Sequence, residues 1–341
     1  MGIRLAIRVI AGATLAVGVC HLLGCASRNA RTSDRRDSSS HNDQSAAAGP
    51  AAAHANTIHA ELVSPLGIPL LARDAASFPR LAEQLAAVRQ LADQNPRDVD
   101  AAIWHGRRLG YLWRMSDAIA VYSNALATHP EEPRLLRHRG HRYLSVRRFD
   151  EALADLSLAA ERMGDRAGEV EPDGMPNEQN VPLTTLGFNV HYHRALALYL
   201  RGDFESALAA WHDCAAHVGP HDDNVVAVRY WTYLTLRRLD HRVGAFLELE
   251  RVDVRMNMIE NHAYHHLLLL FNGLLSVEEL TDATAEQRAD FPAIGYGVGA
   301  WYLASSRRDD ARAMFERVIA TGDWPAFGYI AAEAELVRLK R

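Results

Sequence analysis

A repeated spacing of 34 residues constrains the fold of this chain more than any other feature of its sequence. Between Val99 and Arg166, residues of similar size recur 34 positions apart: Gly106 and Gly140, Ala118 and Ala152, Tyr122 and Leu156, Ala125 and Ala159. A small residue lets two helices approach closely, and a large residue on the second helix fills the remaining space. The spacing therefore predicts two consecutive units of two packed helices, and Pro130 ends the first unit.

These spacings resemble the tetratricopeptide repeat (TPR), a helix–turn–helix unit of 34 residues. The resemblance covers about residues 65–341 and is clearest over 99–166, 188–219 and 292–323. It implies an all-α superhelix, or α-solenoid, with about five repeats, some of them degenerate, and with capping helices at its ends. The sequence lacks the alternation of β-branched residues that is typical of strands, which favours the same fold class.

The solenoid is predicted to span residues 99–341 and to follow an N-terminal cap at 61–98. In the cap, Phe78 to Asp93 has the apolar spacing of an amphipathic helix and matches the second half of a repeat. A loop insertion at 165–187 interrupts the period, because its proline- and glycine-rich centre cannot be helical. Long insertions in compact domains are often functional, so this loop is a further candidate for a binding site.

Residues 1–24 have the features of a bacterial lipoprotein signal peptide. Arg4 and Arg8 form a positive region, and a mainly apolar stretch follows. The end of this stretch, Leu22-Leu23-Gly24-Cys25, resembles a lipobox, which implies cleavage before Cys25 and attachment of lipid, including palmitate, to this cysteine. A simple signal peptide and an uncleaved anchor are the alternatives, although the apolar run is shorter than the ~20 residues of a spanning helix.

Residues 25–60 are predicted to be the lipidated cysteine followed by a disordered linker. The linker is rich in small and polar residues and lacks aromatic ones, so it cannot bury enough apolar surface to offset the entropy of ordering. As a flexible tether it would span roughly 30–35 Å. By analogy with lipoprotein sorting, Ala26 after the cysteine favours the outer membrane. We therefore expect a lipid-anchored protein of the bacterial cell envelope that faces the periplasm.

The order of signal, lipobox, tether and repeats resembles bacterial TPR lipoproteins that act as adaptors for periplasmic proteases and murein hydrolases. The resemblance implies a membrane-anchored scaffold that binds protein or peptide partners through the concave groove of its solenoid, and it implies no cofactor. The formal net charge is −5, or −7 once Arg4 and Arg8 leave with the signal. This charge argues against nucleic-acid binding, which needs a broadly basic surface.

In a TPR solenoid, the first helix of each repeat, called helix A, lines the concave groove. Six residues are candidates for partner binding there: Arg107, Tyr111, Arg134, Arg137, His141 and Tyr192. Arg134, Arg137 and His141 share one helical face, at positions i, i+3 and i+7, and are expected to point outward. A basic groove flanked by tyrosines favours an acidic peptide or a carboxylate, which arginine can bind with two hydrogen bonds. An ordinary solvated charged face is the alternative. The sequence also lacks the lysine–asparagine set of the family's carboxylate clamps.

A histidine-rich stretch suggests the alternative function, a metal-binding or hydrolytic enzyme with its site over the groove. His262 and either His265 or His266 would share a helical face at the spacing of paired zinc ligands. The sequence lacks a His-Glu-x-x-His motif, a phosphate-binding loop and a nucleophile elbow, so no catalytic residue is predicted. After removal of the signal and lipidation of Cys25, Cys214 is the remaining thiol and is expected to be buried.

Overall fold

The structure is a computed structural model that describes residues 60–282 and 285–340. The predicted signal peptide, Cys25 and the predicted linker up to residue 59 lie outside the described residues. Within the described ranges the chain forms fourteen α-helices: α1 (Pro79–Gln94), α2 (Val99–Tyr111), α3 (Met115–Thr128), α4 (Pro133–Ser145), α5 (Phe149–Arg162), α6 (Leu186–Arg201), α7 (Phe204–Ala215), α8 (Asp222–Arg238), α9 (Arg242–Leu249), α10 (His262–Phe271), α11 (Val277–Leu280), α12 (Phe291–Ala304), α13 (Arg308–Ala320) and α14 (Phe327–Leu339). None of these helices is both long and apolar enough to cross a membrane.

Five helix pairs form the repeats, namely α2–α3, α4–α5, α6–α7, α8–α9 and α12–α13, and each pair packs against the next elements of the chain. Close contacts explain the spacing of small and large residues. A Cβ atom added to Gly106 would lie 2.3 Å from the Tyr122 ring, and one added to Gly140 would lie 2.8 Å from Leu156 Cγ. In the third repeat Cys214 is fully buried. The prediction of an all-α, TPR-type solenoid is therefore confirmed.

A short hairpin precedes the helices and departs from the all-helical expectation. Strands β1 (Ala60–Val63) and β2 (Pro69–Leu71) pair antiparallel around a turn that Gly67 closes with a φ of +83°. The strands are too short to show an alternating pattern, so the sequence did not reveal them. Their position depends on distant residues, because the Trp324 indole donates a hydrogen bond of 2.9 Å to the carbonyl of Leu71.

The end of the chain folds back across the inner face of the solenoid, which helix A of each repeat forms. In a simple solenoid each repeat contacts only its neighbours. Here Glu333 of α14 forms an ion pair of 2.7 Å with Arg147, in the turn after α4, and the ring of Phe327 lies 5.4 Å from that of His141. Helix α14 therefore covers part of the groove as well as closing the last repeat.

Candidate functional site

In the structure, the six predicted groove residues lie in three separate places. Arg107, Tyr111 and Arg137 lie together beneath the loop insertion, His141 and Tyr192 lie near Phe327 at the start of α14, and Arg134 lies apart. Each place has a different chemistry. In the first place, arginines contact the backbone and a carboxylate of the insertion.

Residues 169–185 of the insertion, here named the groove segment, leave the solenoid and return to it at one point. At its base Val170 pairs with Thr185, and the Glu171 amide donates a hydrogen bond of 3.0 Å to the carbonyl of Thr184. The Leu186 amide donates a further one of 2.8 Å to the carbonyl of Glu169. The two ends are thus adjacent, and the residues between them form an excursion over the inner face.

A buried ion pair anchors the groove segment to the second repeat. Arg137 Nη2 lies 2.8 Å from Glu171 Oε2, and each side chain is only 10% exposed. The side-chain amide of Asn189, on α6, donates a hydrogen bond of 2.7 Å to the same carboxylate oxygen. Burial lowers the pKa of Arg137, and Glu171 opposes this shift. The Arg137 guanidinium stays protonated, and a buried positive charge needs a negative partner, which Glu171 supplies.

Two arginines of the first repeat hold the backbone that follows. Arg107 donates a hydrogen bond of 2.7 Å to the carbonyl of Pro172, and Arg108 donates one of 2.9 Å to the carbonyl of Gly174. Both guanidiniums lie over the Trp104 ring, at 4.7 and 5.3 Å from its centre. Contacts to carbonyls position a peptide whatever its side chains are, whereas the contact to Glu171 recognises an acid.

A tyrosine restricts what can occupy the site beside these arginines. A Cβ atom added to Gly174 would lie 1.7 Å from Tyr111 Oη and 2.8 Å from Arg107 Nη2. The backbone at Gly174 therefore lies directly against the phenol, and a side chain at this position would require the ends of Tyr111 and Arg107 to shift. Tyr111 thus contacts the groove segment of the chain itself, and its role in partner binding stays a prediction.

The sequence predicted that Arg137 and His141 face outward, but other parts of the chain cover both, and Tyr192, predicted at a groove position, is buried. Arg137 is covered by the groove segment, and Tyr192 is 7% exposed and accepts a hydrogen bond of 2.8 Å from the Trp231 indole. The His141 ring lies 4.3 Å from that of His193, and Phe327 packs on both rings. Burial is the largest cause that lowers the pKa of both histidines well below 6.5. Both imidazoles are therefore held neutral, and the role of His141 and Tyr192 in partner binding stays a prediction.

Arg134 forms ion pairs with two acidic residues. Its guanidinium lies 2.6 Å from Asp100 Oδ1 and 3.0 Å from Glu132 Oε1. Asp100 is 34 residues before Arg134, so this pair joins equivalent positions of adjacent repeats. Arg134 thus has an interrepeat partner and does not share a site with Arg137.

The histidine-rich stretch does not favour the metal-binding alternative. His265 Nε2 lies 2.9 Å from the carbonyl of Asp253, a hydrogen bond that occupies one of its two ring nitrogens. The rings of His262 and His266 are 6.4 Å apart, centre to centre. Across residues 60–282 and 285–340, no three or more histidine, cysteine, aspartate or glutamate side chains are grouped so that they could hold a metal ion.

Four residues of the site were not predicted: Trp104, Arg108, Glu171 and Asn189. Two of them, Arg108 and Glu171, have some signal in the sequence. Arg108 directly follows a predicted groove arginine, and Glu171 precedes Pro172 in an acidic stretch that cannot be helical. Neither pattern shows that the insertion returns to the groove, because that contact joins residues 34 positions apart in different elements.

No protein-family model matches this chain, and no curated protein matches it in sequence. Solved structures with similarity to it include YrrB, described as a TPR protein with an unusual peptide-binding site. The similarity covers 69% of this chain and 92% of that chain, with 16% identity and a TM-score of 0.37. Another is from the Naa15/Naa10 complex bound to HypK-THB. That similarity covers 72% of this chain and 35% of that chain, with 14% identity and a TM-score of 0.33.

Proposed function

We propose that this protein is a scaffold that binds protein partners by holding their extended segments on the inner face of its first two repeats. One observation supports this most directly: the inner face already holds an irregular segment, the chain's own residues 171–174. Arg107 and Arg108 bind its backbone carbonyls, and Arg137 binds its carboxylate. A partner's segment with the same chemistry would find the same donors.

The site favours acidic partners over neutral ones. Arg137 is buried, and a buried cation without a partner is strongly unfavourable, so any segment that replaces Glu171 must supply a negative charge there. Hydrogen bonds from guanidinium to carboxylate are also stronger than those between neutral groups. The partners in this proposal therefore carry an exposed acidic stretch.

The scaffold is further proposed to be a lipoprotein of the bacterial envelope. The support is in the sequence: a positive region, an apolar stretch and the lipobox-like Leu22-Leu23-Gly24-Cys25, followed by a polar tether. Two or more acyl chains on Cys25 would anchor the protein stably, whereas a single chain would not. The outer membrane, facing the periplasm, is the proposed location.

Site-specific crosslinking tests the scaffold. The full chain carries p-azidophenylalanine in place of Tyr111, which keeps the ring, and is illuminated in cells. The matched control carries the same residue at Glu161, which is exposed on α5. We expect defined protein adducts from position 111 that position 161 does not give. Identical adducts from both positions, or none from position 111, would contradict the proposal.

A separate variant tests the anchor. Cys25→Ser removes the sulfur to which lipid is attached, so the protein should leave the membrane fraction, while the wild type should stay after salt and carbonate washes. Mass spectrometry of the wild-type N-terminal peptide should show an acylated Cys25. A variant that remains membrane-bound after the washes would exclude the lipobox interpretation.

A further inference from the structure

We infer that the groove segment is an internal occupant of a site for peptides of the form Glu-x-x-Gly, and that a partner peptide of this form displaces it. The inference rests on the proposed function and specifies its ligand. The site, its occupant and the release of that occupant each have separate structural support.

The site is formed by the solenoid and lacks a charge partner of its own. Arg137 lies near Arg107 and Arg142, and all three lower the pKa of the neighbouring His138, although burial lowers it most. The described residues place one carboxylate against Arg137, that of Glu171, and it comes from the insertion. The repeats therefore form a positive site whose counter-charge is delivered by a segment outside them.

The occupant has few buried residues, although Asn224 also donates a hydrogen bond of 2.8 Å to the carbonyl of Leu183 and Asn177 donates one of 2.7 Å to Glu260. Of the seventeen residues of the groove segment, three are buried, namely Glu171, Gly174 and Leu183. Two buried carboxylate oxygens, Glu171 Oε1 and Asp173 Oδ2, have no hydrogen-bond partner among the described residues. Unpaired buried oxygens weaken the native contact, and the departure of an exposed segment uncovers little apolar surface.

The segment can leave without moving the helices beside it. Val170 and Thr185 pair at its base, so the excursion 171–184 begins and ends at one place. A bound partner could then hold the arginines while α5 and α6 keep their packing. The insertion acts in this view as a tethered competitor, because the tether gives it a local concentration in the millimolar range.

The contacts define the peptide that would compete. Its first residue must carry a carboxylate for Arg137 and Asn189, and the carbonyls of its second and fourth residues accept hydrogen bonds from Arg107 and Arg108. Glycine is favoured at its fourth position, because a larger residue would require the ends of the Tyr111 and Arg107 side chains to shift. The chain's own Glu171-Pro172-Asp173-Gly174 satisfies each requirement.

The test uses a fluorescent synthetic peptide with the sequence of residues 168–178 and the full chain purified in detergent. In one variant, residues 171–184 are replaced by Asn-Gly, which closes a two-residue hairpin between the paired Val170 and Thr185. We expect fluorescence anisotropy to show that this variant binds the peptide at least ~10-fold more tightly than the wild type, since the competitor is gone.

Two altered peptides identify the contacts. A Glu171→Gln peptide should bind the shortened variant on the order of 30-fold more weakly, because it leaves Arg137 buried and unpaired. A Gly174→Ala peptide should also bind more weakly. If the shortened variant does not fold, as judged by circular dichroism, the full-length Glu171→Ala variant replaces it, since that change keeps the entire insertion and removes its anchor.

Equal binding of the peptide by the wild type and the shortened variant would overturn the inference, as would equal binding of the parent and Glu171→Gln peptides. Crosslinking from position 111 together with no peptide binding would also overturn it, and would leave the scaffold proposal intact. Specific peptide binding without any crosslinked partner would support the inferred site and contradict the scaffold proposal. The two proposals therefore fail separately.

Discussion

The inner face of this solenoid is covered in two ways, by the groove segment over the first two repeats and by α14, which contacts the second and third repeats. Each closure has a buried arginine–glutamate pair: Arg137 with Glu171 at 2.8 Å and Arg147 with Glu333 at 2.7 Å. The surroundings differ. Nine of the thirteen residues of α14 are buried, compared with three of seventeen in the groove segment.

This difference indicates that the two arginine–glutamate pairs, although alike in geometry, have different roles. Around Glu333, apolar residues of α14 fix the pair in the core, so the carboxylate cannot leave without unfolding its helix. Around Glu171, an irregular and mostly exposed chain can detach while the repeats stay folded. One closure is part of the fold, and the other is an exchangeable ligand.

The largest expected effect comes from the pair in the core. Glu333→Gln leaves Arg147 buried without a negative partner, which should lower the free energy of unfolding by about 3–5 kcal/mol. Urea denaturation measures the loss. The control is Glu151→Gln, which removes an exposed arginine–glutamate pair of 2.8 Å and should change stability by at most ~0.5 kcal/mol. A similar loss in both variants would show that burial does not distinguish the pairs.

A second change should disturb both closures together, because α4 contains Arg137 and directly precedes Arg147. Gly140→Leu places a side chain where even a Cβ atom would lie 2.8 Å from Leu156 Cγ, and should cost ~1–3 kcal/mol by overpacking. The control is Gly168→Leu, at a position with open space around the added Cβ atom. If both variants melt at the wild-type temperature, Gly140 does not lie at the helix contact.

The sequence predicted the repeats well because their packing is local. Gly106 and Tyr122, or Gly140 and Leu156, are close in the chain, so their sizes constrain each other at a fixed spacing. The closures were not predictable in this way. Leu71 contacts Trp324, which lies 253 residues further along the chain, and Arg147 contacts Glu333, which lies 186 residues further along. No local pattern distinguishes Arg137, which is buried by such a return of the chain, from Arg134, which is not.

Acid should loosen the closure that α14 forms. His141 and His193 are held neutral, with pKa values well below 6.5 in the folded state. The unfolded chain therefore binds more protons below pH 6.5, so stability falls as the pH falls through that value. Between pH 7.5 and 5.5 the expected loss is roughly 1 kcal/mol per histidine. Urea titrations at both pH values measure this loss, and His141→Asn should reduce the change in the free energy of unfolding between them. A flat profile would contradict the assignment.

The smallest effect on global stability should come from the exchangeable closure. Glu171→Gln removes the anchor of the groove segment, but Arg137 then becomes hydrated as the segment leaves, so the free energy of unfolding should change by ~1 kcal/mol or less. Limited proteolysis should nevertheless cut residues 171–184 faster than in the wild type. A stability loss as large as that of Glu333→Gln would place the groove segment in the core.

Hydrogen exchange of the full-length chain tests the exchangeable closure most directly, by comparing the wild type with Glu171→Gln. Glu171 donates a backbone hydrogen bond to Thr184 inside the excursion 171–184, so peptides that contain this amide report its opening. We expect faster exchange in residues 171–184 of the variant and unchanged exchange in α14. Exchange that rises equally in both regions would contradict this expectation, because the groove segment would then open only when the solenoid unfolds.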